Sequence, residues 1–438
     1  METLEDFPEE YANSFQTSFD LLKNFNVRYL EDDQPALKKY WRFFYIVPAV
    51  LVHILALGVH MVVLLSGEDM TRFAYLLPPV LVTIHATLKA LVLIPKTAQV
   101  SAFIKELGSL WRTKFTESQT KEKDALLWRL NLINRAMYWV TACGSFQYFL
   151  SPILETLVQR FILLQDCELL LPIASSYPFN PVKNWLIYIL VYIFQCCTSK
   201  LKWLMKQYTI YIYRDIYNSY ACILVVVLVS IYSGAESIMI TLCALLGTEF
   251  LMLKDDLAKV KPRPNRDRNH HAINDENDEP TIENFVKRHQ KLISFFKRLL
   301  MLSLCPGLNN VFFLSLYEVS LLHYLLYECF QFARGPTYML NNYVAVFSSM
   351  LTVLYLCYYG ELLTGASARI GDLAYENLWY KGGKQYKVAI WLIIKISQNP
   401  CCLTSLRYSV VSLNLFTKVV STTWSYFSLM NSIYSEEE

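Results

Sequence analysis

Thr417, Ser421, Ser425, Ser428 and Ser432 step by four, four, three and four residues near the C-terminus, a spacing that lines one face of a helix with hydroxyls. Leu429 and Ile433 are interleaved toward the same end. Such a stripe suits a wetted pore: hydroxyls stand in for part of an ion's hydration shell, and converging aliphatics dewet the path. One helix encloses no pore, so this chemistry demands several subunits. Hydroxyls also serve as glue between apolar helices, and the pattern alone leaves both readings open.

The remaining reactive residues form no catalytic constellation. There is no GxSxG, HExxH, P-loop or dinucleotide glycine fingerprint, so an enzyme is not expected, nor a cofactor or metal. His53 and His60 are seven apart and share a helix face, where polar spacing within a bundle explains them as well as ligation. His270 and His271 stand beside acidic residues in a solvated stretch. Glu318, His323 and Lys418 interrupt apolar runs; ionisable groups in lipid are functional candidates, though a buried hydrogen bond or subunit contact explains Glu318 equally well. Most of the eleven cysteines (Cys143, Cys222, Cys243, Cys305 and Cys357 among them) lie in apolar runs and read as small hydrophobes. Only Cys167 and Cys329 fall where an oxidising face reaches them, which leaves one disulfide open. Cys196-Cys197 and Cys401-Cys402 make no CxxC pair, so zinc is not expected. No N-x-S/T sequon occurs.

The elements that carry these residues are set by lipid. Of 438 residues, 54% are hydrophobic and 18% charged, against about 25% charged in soluble domains. The net charge of +3 and the lack of a long basic block argue against nucleic acid. The acidic N-terminus, METLEDFPEEYANSF, has no apolar core and does not read as a signal peptide. A helix needs roughly 20 apolar residues to cross about 30 Å of hydrocarbon. Residues 43–65, 73–95 and 136–158 meet this, a fourth region ends near Phe250, and 305–327, 343–363 and 408–434 follow.

Loop charge orients the seven spans. One side collects Lys23, Arg28, Lys38, Lys39 and Arg42, eight cations in 96–135, eleven in 254–298 and four in 364–387. The other side has Arg72, Arg160, Lys183 and Arg334, and none in the tail. The N-terminus is therefore expected in the cytoplasm and the C-terminus outside, the reverse of a G-protein-coupled receptor.

Region four is too long for one span. Residues 184–253 would make a helix of about 105 Å. Two apolar stretches, 185–197 and 221–233, flank a linker with Lys200, Lys202, Lys206 and Arg214. If both crossed, the basic 254–298 loop would face outside. An amphipathic segment over 196–220, lying along the outer headgroups before the true span, fits better. Residues 258–283 are polar and proline-punctuated and read as a mobile loop. Stretches 101–133 and 282–300 are amphipathic and read as cytoplasmic extensions of the spans. The resulting division is 1–42 N-terminal segment, 43–360 helices one to six, 361–407 anchor region, and 408–438 last helix and tail.

Residues 356–380 (LCYYGELLTGASARIGDLAYENLWY) and 390–430 resemble the C-terminal signature of the insect odorant receptor family. Ser397, Gln398 and Pro400, then Leu403-Thr404, then Ser425-Tyr426-Phe427 match in order and spacing. Tyr177-Pro178-Phe179 and YSGAES at 232–237 are similar to the family as well. The wording is that of a ligand-tuning subunit, not the co-receptor, and PCCLTSLRYS is similar to moth receptors, the pheromone branch included. About 25 residues near 196–220 are surplus to the family pattern.

The resemblance implies an all-α, seven-span membrane protein in the plasma membrane of a sensory dendrite, with a helical anchor domain. It implies the ligand-binding subunit of a ligand-gated, non-selective cation channel, a heterotetramer with the odorant receptor co-receptor. Carried onto this chain, the gate falls at Leu429 and Ile433, with Ser425 and Ser432 lining the pore. The pocket for a volatile apolar ligand, in the outer half of the bundle, draws on Phe73, Tyr75, Leu77, Val80, Cys143, Phe146, Gln147, Phe149, Tyr343, Phe347 and Met350. Each of these is also ordinary bundle packing. The rivals are a receptor of the G-protein-coupled kind and a small-molecule transporter.

Overall fold

A computed structural model of the protein describes residues 7–23, 97–113, 115–157, 213–262, 281–304, 336–405 and 409–435, with isolated positions between them and, along parts of the helices, the backbone alone. Most of spans one and two, all of span five, the 263–280 loop, Cys167, Cys329, Glu318, His323 and His270-His271 lie outside the described residues. Within span one, Leu55, Val59 and Val62 are helical and exposed at i, i+4 and i+7, as on a lipid-facing surface.

The chain opens with α1 (Glu9–Lys23). The Pro8 carbonyl accepts from Tyr11 and Ala12 N–H, and Glu9 and Glu10 suit the positive end of the helix dipole. Tyr11, Ser14, Phe15, Ser18 and Leu22 share a buried face, whereas Asn13, Gln16 and Asp20 are exposed. That face packs on α3 (Glu117–Leu157) and α4 (Tyr213–Lys259). At Gly234 of α4 a side chain would clash with Leu22, so the glycine makes the seat for α1. A buried polar chain completes it. Ser18 and Ser237 hydroxyls are 2.7 Å apart, Ser237 donates to Asn134 Oδ1 at 3.1 Å, and Asn134 Nδ2 donates to Thr241 Oγ1 and the Ser14 carbonyl. Asn134→Ala would strand these groups, and roughly 1–3 kcal/mol of stability should be lost. Thermal unfolding in detergent checks it; an unshifted midpoint would show that the network contributes nothing.

Helix α4 is the centre of the bundle. Its stretch Ser233–Lys259 is long and apolar enough to cross a membrane by length and composition, and it is almost wholly covered by protein. Its neighbours are α1, α3, α5 (Ile282–Leu304) and α6 (Pro336–Glu376). Gly247 leaves room for the Leu362 side chain of α6, which a Cβ there would strike. At about 1.5 Å per residue, α3, α4 and α6 are each about 60–70 Å long, twice the hydrocarbon thickness. Half of each helix therefore serves a layer outside lipid.

That layer also holds α2 (Thr97–Leu110) and α5, joined through aromatic contacts such as Phe103 on Phe295. Phe285, Leu292, Phe295, Phe296 and Leu299 are buried, and Lys287, Lys291, Lys297 and Arg298 are exposed, the amphipathic pattern read from sequence. Where α2, α4 and α5 meet, Glu249 accepts from Arg112 N–H at 3.0 Å and Arg288 Nη2 at 2.6 Å. Arg288 also reaches the Leu110 carbonyl, Arg112 pairs with Asp256, and Gln119 donates to Asp256 and the Met252 carbonyl. These contacts fix the 111–116 turn against α4.

Three boundaries differ from the sequence reading. The amphipathic stretch before span three divides at 111–116, and its second part is continuous with the span as α3. Residues 213–220, expected in the amphipathic linker, are the first turns of α4. The last helix, α8, is Leu413–Ser435, because the chain before it pairs as a short ribbon of β1 (Thr404–Ser405) and β2 (Ser409–Val410), the one departure from all-α structure among the described residues.

Candidate ligand pocket and pore helix

Helix α7 (Lys384–Ser397) and α8 are joined by residues 398–412, and that link is bound to α6. Cys401 N–H donates to Ser367 Oγ at 2.9 Å, and Thr364 Oγ1 donates to the Cys401 carbonyl. Burial pushes the Cys401 thiol up to about 12, with its Cys402 neighbour adding to the rise, so it is a poor nucleophile. At the far end Val411 N–H closes on the Leu403 carbonyl. Ser412 Oγ accepts from Leu415 N–H and Glu361 Oε2 accepts from Leu413 N–H, each at 3.3 Å. The first turn of α8 is thus capped once by its own chain and once by α6.

Helix α8 rests on α6, and within it Val419 and Thr423 are buried and Phe416 half-buried. The opposite face carries Thr417, Ser421, Ser425, Ser428 and Ser432, all exposed, with Trp424 exposed beside them. Thr417 donates to the Asn414 carbonyl and Ser425 to Ser421, which satisfies the hydroxyl protons and leaves the oxygen lone pairs outward. The hydroxyl stripe therefore faces away from its own chain rather than joining helices within it. Leu429 and Ile433 lie on α8 at positions four and eight beyond Ser425, and their side chains are outside the described residues.

Of the expected pocket residues, Phe73, Tyr75, Leu77 and Val80 are outside the described residues. Cys143, Phe146, Gln147 and Phe149 belong to α3, and Tyr343, Phe347 and Met350 to α6, two helices that pack against one another. Cys143 is exposed, Phe347 is 58% exposed and Met350 half-buried, so these three are not enclosed. The side chains of Phe146, Gln147, Phe149 and Tyr343 are not described.

Sequence reasoning missed the outer face of α7. Tyr386, Ile390 and Ile393 are buried, while Val388, Trp391, Leu392 and Ile396 are exposed. A helix apolar all round is expected to be covered all round, and the run IWLIIKI was the available signal. An open cavity of about 600 Å³ lies at the start of α7, between Trp379, Gly382, Lys384, Lys387 and Trp391. It is at the other end of α6 from Tyr343 and Phe347.

Residues 200–424, just over half the chain, match the sequence model of the family described as 7tm Odorant receptor. The chain belongs to that family. Among odorant receptors of Drosophila melanogaster it is similar to Odorant receptor 67c, 29% identical over 38% of this chain and 40% of that protein. It is also similar to Odorant receptor 13a, 30% identical over 36% of this chain and 40% of the relative. These alignments span about two fifths of each relative's length. Odorant receptor 85c aligns at 22% identity across 77% of both chains. In fold, the protein matches the olfactory receptor OR5 of Machilis hrabei in complex with eugenol, at a TM-score of 0.69 and 11% identity, covering 97% of this chain and all of that one. OR5 without that ligand matches at 0.66. The architecture is thus the helical, multi-pass membrane fold of insect olfactory receptors, and the family is one of receptors, not enzymes.

Proposed function

We propose that this odorant receptor is the ligand-binding subunit of a ligand-gated, non-selective cation channel that it forms with the family's co-receptor in the plasma membrane. The observation that carries the reading is the face of α8 turned away from its own chain, lined by Thr417, Ser421, Ser425, Ser428 and Ser432. A hydroxyl face of that kind on the last helix suits a water-filled path between subunits better than lipid. The exposed Val388, Trp391, Leu392 and Ile396 of α7 support assembly, because an apolar face outside lipid needs a cover. The N-terminus would be cytoplasmic and the C-terminus outside, on the loop charges.

The ligand is a volatile, largely apolar molecule held by dispersion contacts in the outer half of the bundle, with one or two polar groups orienting it. Phe73, Tyr75, Leu77, Val80, Cys143, Phe146, Gln147, Phe149, Tyr343, Phe347 and Met350 are the candidates to line it. Ligand must favour the open state through contacts that differ between states. Leu429 and Ile433 would form the closed constriction, with Ser425 and Ser432 beside it.

Co-expression with the co-receptor and recording against a volatile panel tests the whole reading. Conductance evoked only when both subunits are present supports it; uptake without conductance, or an outside N-terminal tag, sinks it. Leu429→Ser is expected to raise ligand-free current at matched surface expression. Unchanged basal and evoked currents would remove Leu429 from the gate.

A further inference from the structure

Gly360, Thr364, Ser367 and Gly371 follow one another at four, three and four residues along α6. At about 100° per residue they share one face over about 16 Å. Gly371 meets the last turn of α7, and the other three meet the segment that joins α7 to α8. A methyl on Gly371 would lie 2.8 Å from Ser397 Cβ, the last residue of α7. Ser367 accepts from the Cys401 N–H and Thr364 donates to the Cys401 carbonyl. A methyl on Gly360 would lie 2.8 Å from the Val411 carbonyl oxygen, immediately before α8. Glu361, one residue on, caps the first turn of α8 at Leu413.

The glycines are specific to this contact. Gly365 sits in the same helix between the two, and a methyl there would meet nothing within 4 Å. Helical glycine costs roughly 1 kcal/mol relative to alanine, so Gly360 and Gly371 are explained by close backbone approach, not by helix formation.

We infer that this track of small residues on α6 is the joint that sets the position of α8, with Gly360 and Glu361 as its positioning residues. Helix α6 is continuous from Pro336 to Glu376, so a rotation or slide of its first half is delivered to the track without a hinge. The track passes it to the first turn of α8 through the Val411 contact and the Leu413 cap. Tyr343, Phe347 and Met350 are on that first half, and the hydroxyl face is on α8. The gating half of this inference rests on the channel reading above; the structural half does not.

Gly360→Ala and Gly365→Ala make a matched pair, the same change with and without a neighbour. Hydrogen exchange of the full-length protein in lipid nanodiscs should quicken over residues 411–417 in Gly360→Ala and stay as wild type in Gly365→Ala. In cells co-expressing the co-receptor, at matched surface level, ligand-free current should change about fivefold or more in Gly360→Ala, the population shift for about 1 kcal/mol. Gly365→Ala should stay within about twofold, and Glu361→Gln, which keeps an acceptor oxygen, should stay nearer wild type than Glu361→Ala. Should Gly360→Ala fail to reach the surface, Glu361→Ala carries both measurements. Equal exchange in the two glycine variants overturns the joint. Altered exchange with unaltered current, in a wild type that conducts, overturns its role in gating. A wild type with no conductance refutes the channel reading, and the exchange comparison then decides the joint alone.

Discussion

Glu249→Ala is expected to destabilise the protein by about 3 kcal/mol or more, among the largest effects open to a single substitution here. Glu249 is 1% exposed and accepts from the Arg288 guanidinium and the Arg112 backbone N–H. Its removal strips the Arg288 guanidinium of its carboxylate, leaving it the Leu110 carbonyl, and leaves the Arg112 backbone N–H without its acceptor. Breaking one side of a buried pair typically costs about 3–5 kcal/mol. Arg288 remains partly wetted, with 29% of its side chain exposed, which argues for the lower end. Glu249→Gln keeps one acceptor oxygen and should cost less. Lys121→Ala breaks an exposed pair with Glu117 and should move stability by no more than about 0.5 kcal/mol. Unfolding midpoints in detergent order the three. A Glu249→Ala midpoint equal to that of Lys121→Ala would mean that the pair does not hold the 111–116 turn.

A second large effect concerns acid. His289 is 3% exposed on α5 between the rings of Phe250 and Phe285, and burial lowers its pKa to about 4. The unfolded histidine titrates near 6.5. Between those values the unfolded chain binds a proton that the folded chain refuses. Stability from this group is therefore complete above about pH 6.5, falls as pH drops, and is lost by about pH 4. The span of about 2.5 units corresponds to about 3 kcal/mol. Unfolding of wild type and His289→Leu across pH 4–8 should show a steep loss in the first and a flatter profile in the second. Parallel profiles would assign the acid sensitivity to other groups.

What the sequence revealed, and what it hid, follows the range of each interaction. The hydroxyl face of α8 and the amphipathic α5 were legible because a helical period repeats along the chain itself. The extent of α3 was not: the apolar run begins after Arg135, and a helix is indifferent to that change of composition as long as its backbone bonds continue. The acidic start was read only as part of the N-terminal segment 1–42. Its Tyr11, Phe15, Ser18 and Leu22 already had helical spacing, but nothing local told that α3 and α4 would bury them. Cys143 and Phe347, carried over as candidate pocket residues, are exposed; a family position gives the helix, and the sequence holds nothing on how far each side chain is covered. The Gly360 contact with Val411 joins residues 51 apart, so only the folded chain could bring it to light.

The seat of α1 also bears on how the protein is made. Ser18 and Ser237 are separated by 219 residues, and Asn134, which accepts from Ser237, lies between them in the chain. At about 5–20 residues per second of synthesis, α1 waits on the order of 10–40 s for α4, with Leu22 lacking its seat at Gly234. Its apolar face is thus a nascent-chain liability as well as a part of the finished core. Docking of α1 on α4 thus follows synthesis of everything between them, although α1 precedes all of it in the chain.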